Sequence, residues 1–565
     1  MTSAAVGRVL GTQDAMPLEF WVGVEEGQYL QLDDVVFVET PLPDGQTIRL
    51  YGVVDMVRAR HEGARFDSDV FLVESGVLPV NTAQAAHVRV TRVEPEVFVP
   101  PLPGRVVLRA AGVDRDQALF FDSMERKVPI GLSRDGEPVY ANLDFLDGSR
   151  GAHVNISGIS GVATKTSYAT FLLYSLFRSG ALGGEAANSH AIVFNVKGED
   201  LLFLDKPNSR LDEGGREDYA KLGLRPGAFE SVQILAPVRA AGKERLPDTG
   251  SRTDGGVVAF FWTLREFASA GLLRFLFAGA DDAQSQLAFV VDQVEAKLRH
   301  AAQEEGEAKD PWIAIEGRRA ESFDALVDQL TERPDQDLPN LLEKWAVRAA
   351  PGTVAAFERR LRAAARHLGH LIRGRDVGPR ERHRLDWKRA QLSVIDIHNL
   401  HDRAKRFVVG AVLTRMFEEK ETLGTSRPLV FVVLDELNKY GPRDGSSPIK
   451  EVLLDISERG RSLGIILVGA QQTASEVEGR IVANAALRVV GRLDLAEAEK
   501  PEYGFLSAAG RGRAGILKPG TMIVQQPEIP TALLVRFPFP AWATRKSEAA
   551  LEAGADVFRA FDDES

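Results

Sequence analysis

The 565-residue chain contains no cysteine, which excludes disulfides and thiolate metal sites and leaves redox chemistry silent on its compartment. No apolar run approaches the ~18–20 residues of a membrane span. The N-terminus Met1-Thr2-Ser3-Ala4 lacks the charged, apolar and cleavable succession of a signal peptide. A cytoplasmic protein without a membrane segment is the expectation. Positive charge is also scarce. With 69 Lys and Arg against 80 Asp and Glu, the formal net charge is −11. That balance excludes a globally basic nucleic-acid binder and confines any DNA contact to a local patch. Against these absences, 44% hydrophobic and 26% charged residues fit an ordinary soluble globular protein. The length suffices for roughly two to four domains.

Short apolar runs fill residues 1–105, among them Phe20–Val24, Val35–Glu39, Ile48–Val57, Asp69–Leu72 and Val88–Val93. Turn chemistry at Glu25-Glu26-Gly27 and Pro43-Asp44-Gly45 separates them. About five or six short strands in that length predict a small β-barrel. The Pro-rich Val97–Gly104 reads as a linker. From 106 to 215 the pattern becomes strand, loop and helix, as in Ala191–Asn195 followed by Val196–Asp200. Residues 216–390 read as a helical insertion. Strands return over 391–520, at Leu392–Ile397, Leu429–Leu434, Ile465–Ala470 and Leu487–Val490. Alternating strands and helices predict a parallel sheet covered on both faces, so 106–215 and 391–520 form one α/β domain. Residues 521–565 read as a C-terminal tail. Within the insertion, Phe357–Arg389 holds eleven Lys or Arg against four Asp or Glu, an excess of seven (11 − 4). Such a stretch either contacts phosphates or is a solvated face paired with acids such as those of Glu304–Glu307.

Two motifs carry chemistry. Gly158-Ile159-Ser160-Gly161-Val162-Ala163-Thr164-Lys165-Thr166-Ser167 follows the apolar run His153–Ile156 and precedes the helical-looking Tyr168–Phe177. A strand, a Gly-rich turn and a helix opening on Lys-Thr aim backbone N–H groups and the helix dipole at a triphosphate. Gly158, Gly161, Thr164, Lys165, Thr166 and Ser167 are therefore the candidate ATP-binding residues. Lys165 would reach the β- and γ-phosphates, and the Thr166 hydroxyl would ligate Mg2+. The second motif, Pro428–Glu436, is a buried-type strand ending in two carboxylates. Asp435 would complete the metal site and Glu436 would polarise a water for attack on the γ-phosphate. Alone, the first motif also fits a plain βα turn with a surface lysine. Thr164 stands where a glycine normally precedes the lysine, and Gly158 to Lys165 is one residue longer than the P-loop pattern. The acidic strand end about 270 residues on turns the balance toward an ATPase.

At these residues the chain resembles the HerA family of hexameric ATPases, a branch of the HerA–FtsK translocases with a RecA-like P-loop fold. The N-terminal barrel is similar to the family's HAS-barrel, and the motifs come in the family's order. Arg406–Leu413 with Phe417–Lys420 resembles the helix before the acidic strand in bacterial members. Ile456–Gly464 resembles the segment carrying a trans-acting arginine, with Arg461 a better fit than Arg459. Leu467–Gln472 resembles the strand ending in a sensor glutamine, here assigned to Gln471 rather than Gln472. Asn195 stands where many relatives carry an aspartate in an Asp-Pro-x-Gly-Glu motif, and Glu199 matches that motif's glutamate.

The resemblance implies an ATP- and Mg2+-dependent translocase acting on double-stranded DNA, with Glu436, Arg461 and Gln471 as catalytic residues. It implies a homo-oligomeric, hexameric ring, since an arginine supplied in trans needs a neighbour. It also implies a partner, either a NurA-like nuclease in DNA-end processing or repair, or another effector. The alternative is an ATPase scaffold ring of an antiphage defence complex that recruits and switches an effector subunit.

Overall fold

The computed structural model describes residues 4–64, 66–159, 164–239, 246–252, 255–277, 286–304, 307, 309–335, 338–378 and 383–549. The chain divides into two compact units. One comprises Met1–Phe145 with Leu487–Phe537, the other Leu146–Ala486 with Pro538–Ser565. No helix among the described residues is long and apolar enough to cross a membrane.

The first unit contains a closed six-stranded barrel, with strands in the order Ala5–Val9, Glu19–Val24, Asn81–Glu94, Thr47–Glu62, Val35–Pro41 and Val106–Arg109. Val36 and Val38, Ile48 and Leu50, and Val88 and Val90 are buried at alternate positions in a single core. That spacing follows from strands whose successive side chains point to opposite faces. Phe37 and Tyr51 point the other way and pack on Ala110 and Ala118 in a separate cluster. The closing strand, Val106–Arg109, lies past the Pro-rich stretch that the sequence suggests as the barrel's end. Five antiparallel strands complete this unit, in the order Leu487–Val490, Thr521–Gln525, Leu533–Arg536, Lys127–Leu132 and Pro138–Asn142. Hairpin strands of this length read like α/β strands locally. Parts of the stretches expected to be core (106–145 and 487–520) and tail (521–537) therefore run in this unit.

The second unit is built on seven parallel strands: β1 (Val154–Ser157), β2 (His190–Asn195), β3 (Val232–Pro237), β4 (Val257–Phe260), β5 (Leu392–Asp396), β6 (Val430–Asp435) and β7 (Ile465–Gln471). Their order across the sheet is β4-β3-β5-β2-β6-β7-β1. Val430 to Leu434 are all buried, as a strand covered on both faces requires. Registers such as Phe194 opposite Leu434 and Val468 opposite Val154 bring the C-terminal ends of β1, β2, β6 and β7 to one edge. β3 and β4 come from the stretch expected to be helical. They are short, six and four residues, and only the pairing of β3 with β5 and of β4 with β3 gives them a strand's environment. The helices Gln286–Glu304, Phe323–Thr331 and Pro351–Leu368 follow in the same stretch.

Three further helices frame the sheet edge: α1 (Thr164–Arg178), α2 (Asp402–Leu423) and α3 (Pro448–Leu463). Ser447 caps α3 by accepting the Lys450 N–H at 3.2 Å, with Pro448 in the first turn. Gly464 ends α3 in the left-handed region at φ 69°, and a Cβ there would lie 1.8 Å from the Ser426 carbonyl oxygen. Only glycine admits that approach.

Five of the eleven cations of the basic stretch 357–389 have acidic neighbours. Arg362 meets Glu358 at 3.2 Å, Lys388 meets Glu419 at 3.0 Å, and Arg384, Arg375 and Arg389 have Glu419, Glu321 and Asp386 within 4 Å.

Gly464→Ala should lower the stability of the second unit by roughly 2–4 kcal/mol, from a left-handed alanine plus a backbone clash at the turn between α3 and β7. Urea unfolding with a tryptophan probe measures it. A loss below about 0.5 kcal/mol would show that the turn shifts freely.

Candidate functional site

The sheet edge forms a cavity of about 360 Å³ walled by residues that include Lys165, Thr166, Asn195, Lys197, Asp435, Glu436, Gln472 and Arg545. Such an edge, beyond the carboxyl ends of parallel strands, is where open α/β sheets bind ligands. β1 delivers Gly158, whose amide donates to the Gln471 carbonyl at 3.2 Å. Residues 160–163, Gly161 among them, lie outside the described residues. Thr164 is the first residue of α1. Lys165 is 8% exposed and its Nζ donates to the Gly158 carbonyl at 2.8 Å. The lysine thus reaches back to the end of β1. Burial lowers its pKa, Asp435 and Glu436 partly restore it, and Lys197 lowers it further. Ser167, half-buried in the first turn of α1, is not part of the cavity wall.

The contact that closes the site joins the two motifs. Thr166 Oγ1 donates to Asp435 Oδ2 at 2.9 Å across 269 residues of sequence. Asp435 Oδ1 accepts the Glu436 N–H at 2.8 Å. Glu436 adopts φ 54°, ψ 41°, a left-handed conformation that costs a non-glycine residue about 1–2 kcal/mol. Strain of this kind persists where the surroundings impose it, commonly at functional positions. Its carboxylate is held by Lys439 Nζ at 2.7 Å.

Thr166 and Asp435 suit a magnesium ion. Two neighbouring oxygens of an octahedral shell with Mg–O bonds of ~2.0–2.1 Å stand about 2.9 Å apart, the spacing found here. Among the described residues no cluster of three or more His, Cys, Asp or Glu could hold a metal alone. Mg2+ is commonly held by one or two protein oxygens completed by water and phosphate.

The amide at the cavity wall is Gln472, not Gln471. Gln471 is fully buried as the last residue of β7, donating Nε2 to Asn155 Oδ1 at 3.0 Å. Gln472, the first residue beyond the strand, is exposed and reaches the cavity. Every residue of β7 is buried, so burial alternation offered no signal to choose between them. Arg461 lies elsewhere. Exposed in the last turn of α3, it donates Nε to Gly148 O at 2.9 Å and Nη2 to Ser149 O at 2.7 Å. β7 separates it from the cavity, and its seven residues span roughly 20 Å at ~3.3 Å each. Arg459 pairs with Glu421.

Asn195 lines the cavity but turns its side chain sideways, donating Nδ2 to Gly198 O at 2.9 Å and to Asp396 Oδ1 at 2.8 Å. Glu199 is bound to Ser251 rather than to the cavity. Burial pushes its carboxyl up, but hydrogen bonds from the Ser251 hydroxyl and amide outweigh that and hold it below its usual range. Lys197 and Arg545 are cavity residues that sequence reasoning missed. Lys197 lies just past the end of β2, a position the sheet-edge rule points to. Arg545 comes from a distant segment and carries no local signal.

No protein-family model and no curated protein matches this chain. Several solved structures resemble its path. The bacterial conjugative coupling protein TrwB is 16% identical with a TM-score of 0.48, over 76% of this chain and 93% of that one. The plasmid coupling protein TrwB in complex with ADP and Mg2+ is 14% identical with a TM-score of 0.47, over 76% and 94%. VirB4 of Thermoanaerobacter pseudethanolicus is 16% identical with a TM-score of 0.43, over 73% and 96%. These are likenesses of chain path at low identity.

Beside the cavity, His398 Nδ1 lies 2.7 Å from Asp396 Oδ1. That hydrogen bond raises the histidine's pKa against the effect of burial. A group raised on folding stabilises fully below its unfolded pKa, ~6.5, and loses that contribution as pH climbs through the folded value. His398→Gln should therefore lower the thermal midpoint at pH 5.5 and leave it near wild type above pH 9. Equal losses at both pH values would assign His398 a packing role instead.

Proposed function

We propose that this chain is a P-loop ATPase of the HerA type that assembles into a closed, hexameric ring and couples ATP hydrolysis to movement along double-stranded DNA. One observation carries the ATPase reading: the Thr166–Asp435 hydrogen bond, which unites a lysine-bearing turn with an acidic strand end. Lys165, freed from Gly158, binds the β- and γ-phosphates, and the N-terminus of α1 adds its dipole. Thr166 and Asp435 hold Mg2+, which when bound neutralises charge on the phosphate oxygens. Glu436 orients the attacking water and takes its proton, and Gln472 stands at the same wall. Arg461 serves a neighbour's site. Its place about 20 Å from its own cavity argues against action within its own subunit. There a guanidinium would offset charge on the phosphoryl group in transfer.

The DNA substrate, a NurA-like nuclease partner and a role in DNA-end processing follow from the resemblance to HerA. One observation favours a second reading, a scaffold ring of an antiphage defence complex that switches an effector. Five of the eleven cations of the basic stretch have acidic neighbours within 4 Å, which reduces the charge that stretch offers to phosphates. Hydrolysis measured with and without linear duplex DNA separates the two. Strong stimulation supports translocation, and a flat response raised only by a partner supports the scaffold.

Glu436→Gln should keep ATP binding and lower turnover by about 10²–10⁴; hydrolysis within a few-fold of wild type removes Glu436 from catalysis. Lys165→Ala should weaken ATP binding by roughly 10–100-fold in calorimetry, without abolishing it, because Lys197 and Arg545 share the cavity. Unchanged affinity would overturn the P-loop assignment. Arg461→Ala should bind ATP and fail to hydrolyse it. Mixed with Glu436→Gln subunits it should regain part of the activity, since some interfaces then join Glu436 of one subunit to Arg461 of the next. No recovery in rings shown intact by light scattering would reject action in trans.

A further inference from the structure

The cavity holds more positive charge than Lys165. Lys197, on the loop after β2, and Arg545, on the C-terminal segment, both line it. Neither forms an ion pair within 4 Å among the described residues; Asp200, on the same wall, feels Arg545 from farther away. Lys197 is close enough to depress the Lys165 pKa, so these two lysines repel one another.

The segment presenting Arg545 is fastened on both sides of it. Before it, Trp542 is 1% exposed, with ring centroids 5.0 Å from Tyr174 and 5.2 Å from Phe229. The Ala543 amide donates to Lys206 O at 2.8 Å, and the Ala541 carbonyl accepts the Asn208 N–H at 3.0 Å. After it, the Glu548 carbonyl accepts the Ser209 N–H at 2.8 Å, and the Glu548 carboxylate accepts the Thr544 hydroxyl at 2.8 Å. The fold thus fixes the base of Arg545 and leaves its guanidinium to the cavity.

Sheet order tells which end of a nucleotide Lys197 faces, and Arg545 lines the same cavity. β6 lies between β2 and β7, and β1 lies beyond β7. Lys197, following β2, is therefore across Asp435 and Glu436 from the Gly158–Lys165 turn. That is the side of the terminal phosphate and the attacking water.

Resting on the ATPase reading, we propose that Lys197 and Arg545 bind the terminal phosphate of a nucleoside triphosphate, so that docking of residues 538–549 reports whether that phosphate is present. Calorimetry with Mg2+ and either ADP or a non-hydrolysable ATP analogue tests this on the full chain. Arg545→Ala and Lys197→Ala should each weaken the analogue roughly tenfold and change ADP by less than about twofold, and Arg545→Lys should recover part of the loss. In hydrogen exchange, amides of 541–549 should be better protected with the analogue than with ADP, a difference that Arg545→Ala abolishes. An unchanged analogue-to-ADP ratio in both variants, or equal protection by both nucleotides in the wild type, would overturn the proposal. If the wild type binds neither nucleotide, the ATPase reading itself has failed.

Discussion

The geometry of the cavity turns on one hydrogen bond, from the Thr166 hydroxyl to the Asp435 carboxylate. Neither partner has meaning for the site alone. A threonine in the first turn of a helix and an aspartate at a strand end are both common. What joins them is the sheet order β6-β7-β1, which sets the ends of β6 and β1 one strand apart on a single edge. That order needs α3 to return the chain to the start of β7, and the return needs a left-handed residue without a Cβ at Gly464. A glycine at the far end of the sheet thus supports the geometry of the acidic pair.

Charge in the cavity is arranged as tension. Lys165 is buried at the expense of its charged form, and its hydrogen bond to Gly158 satisfies one of its three donors. Glu436 sits in a strained backbone conformation with its carboxylate tied to Lys439. Lys165 has a partner, the Gly158 carbonyl, that a polyphosphate would replace with a stronger, charge-assisted contact. The resting pairs keep the charged groups solvated or paired without a ligand. Binding is then an exchange of partners, which costs less than exposing a naked charge.

Much of the fold was legible because it rests on local patterns. Short apolar runs bounded by turn residues at Val35–Pro41 and Thr47–Glu62 mark barrel strands, and the unbroken apolar run before Asp435 marks a strand buried on both faces. The unit boundaries were not legible, because the barrel's last strand, Val106–Arg109, is defined only by its pairing with Ala5–Val9 and Val35–Pro41. β3 and β4 escaped for the same reason. Within the site, the convergence of Lys165, Thr166 and Asp435 on one cavity was readable, because spacing along a turn or strand places them at the same sheet edge. The choice of Gln472 over Gln471 was not, since it depends on which residue first leaves the strand. Arg545 was beyond reach, because contacts of residues 206–210, far along the chain, carry it to the cavity.

Asn195 shows how a buried neighbour can set which side chain a strand end admits. In the parallel register of β2 and β5 it stands opposite Asp396, which is 1% exposed. Asp396 Oδ1 collects donors from the Asn195 amide, the His398 backbone and the His398 ring. An aspartate at 195 would bring a second carboxylate to within hydrogen-bonding distance of the first in a buried place. Like charges there cannot both ionise without a large penalty. The amide supplies a donor in place of a charge, and its second contact, to Gly198 O, shapes the loop that carries Lys197. In this chain Asn195 therefore links a buried carboxylate on β5 to the loop after β2 that carries Lys197.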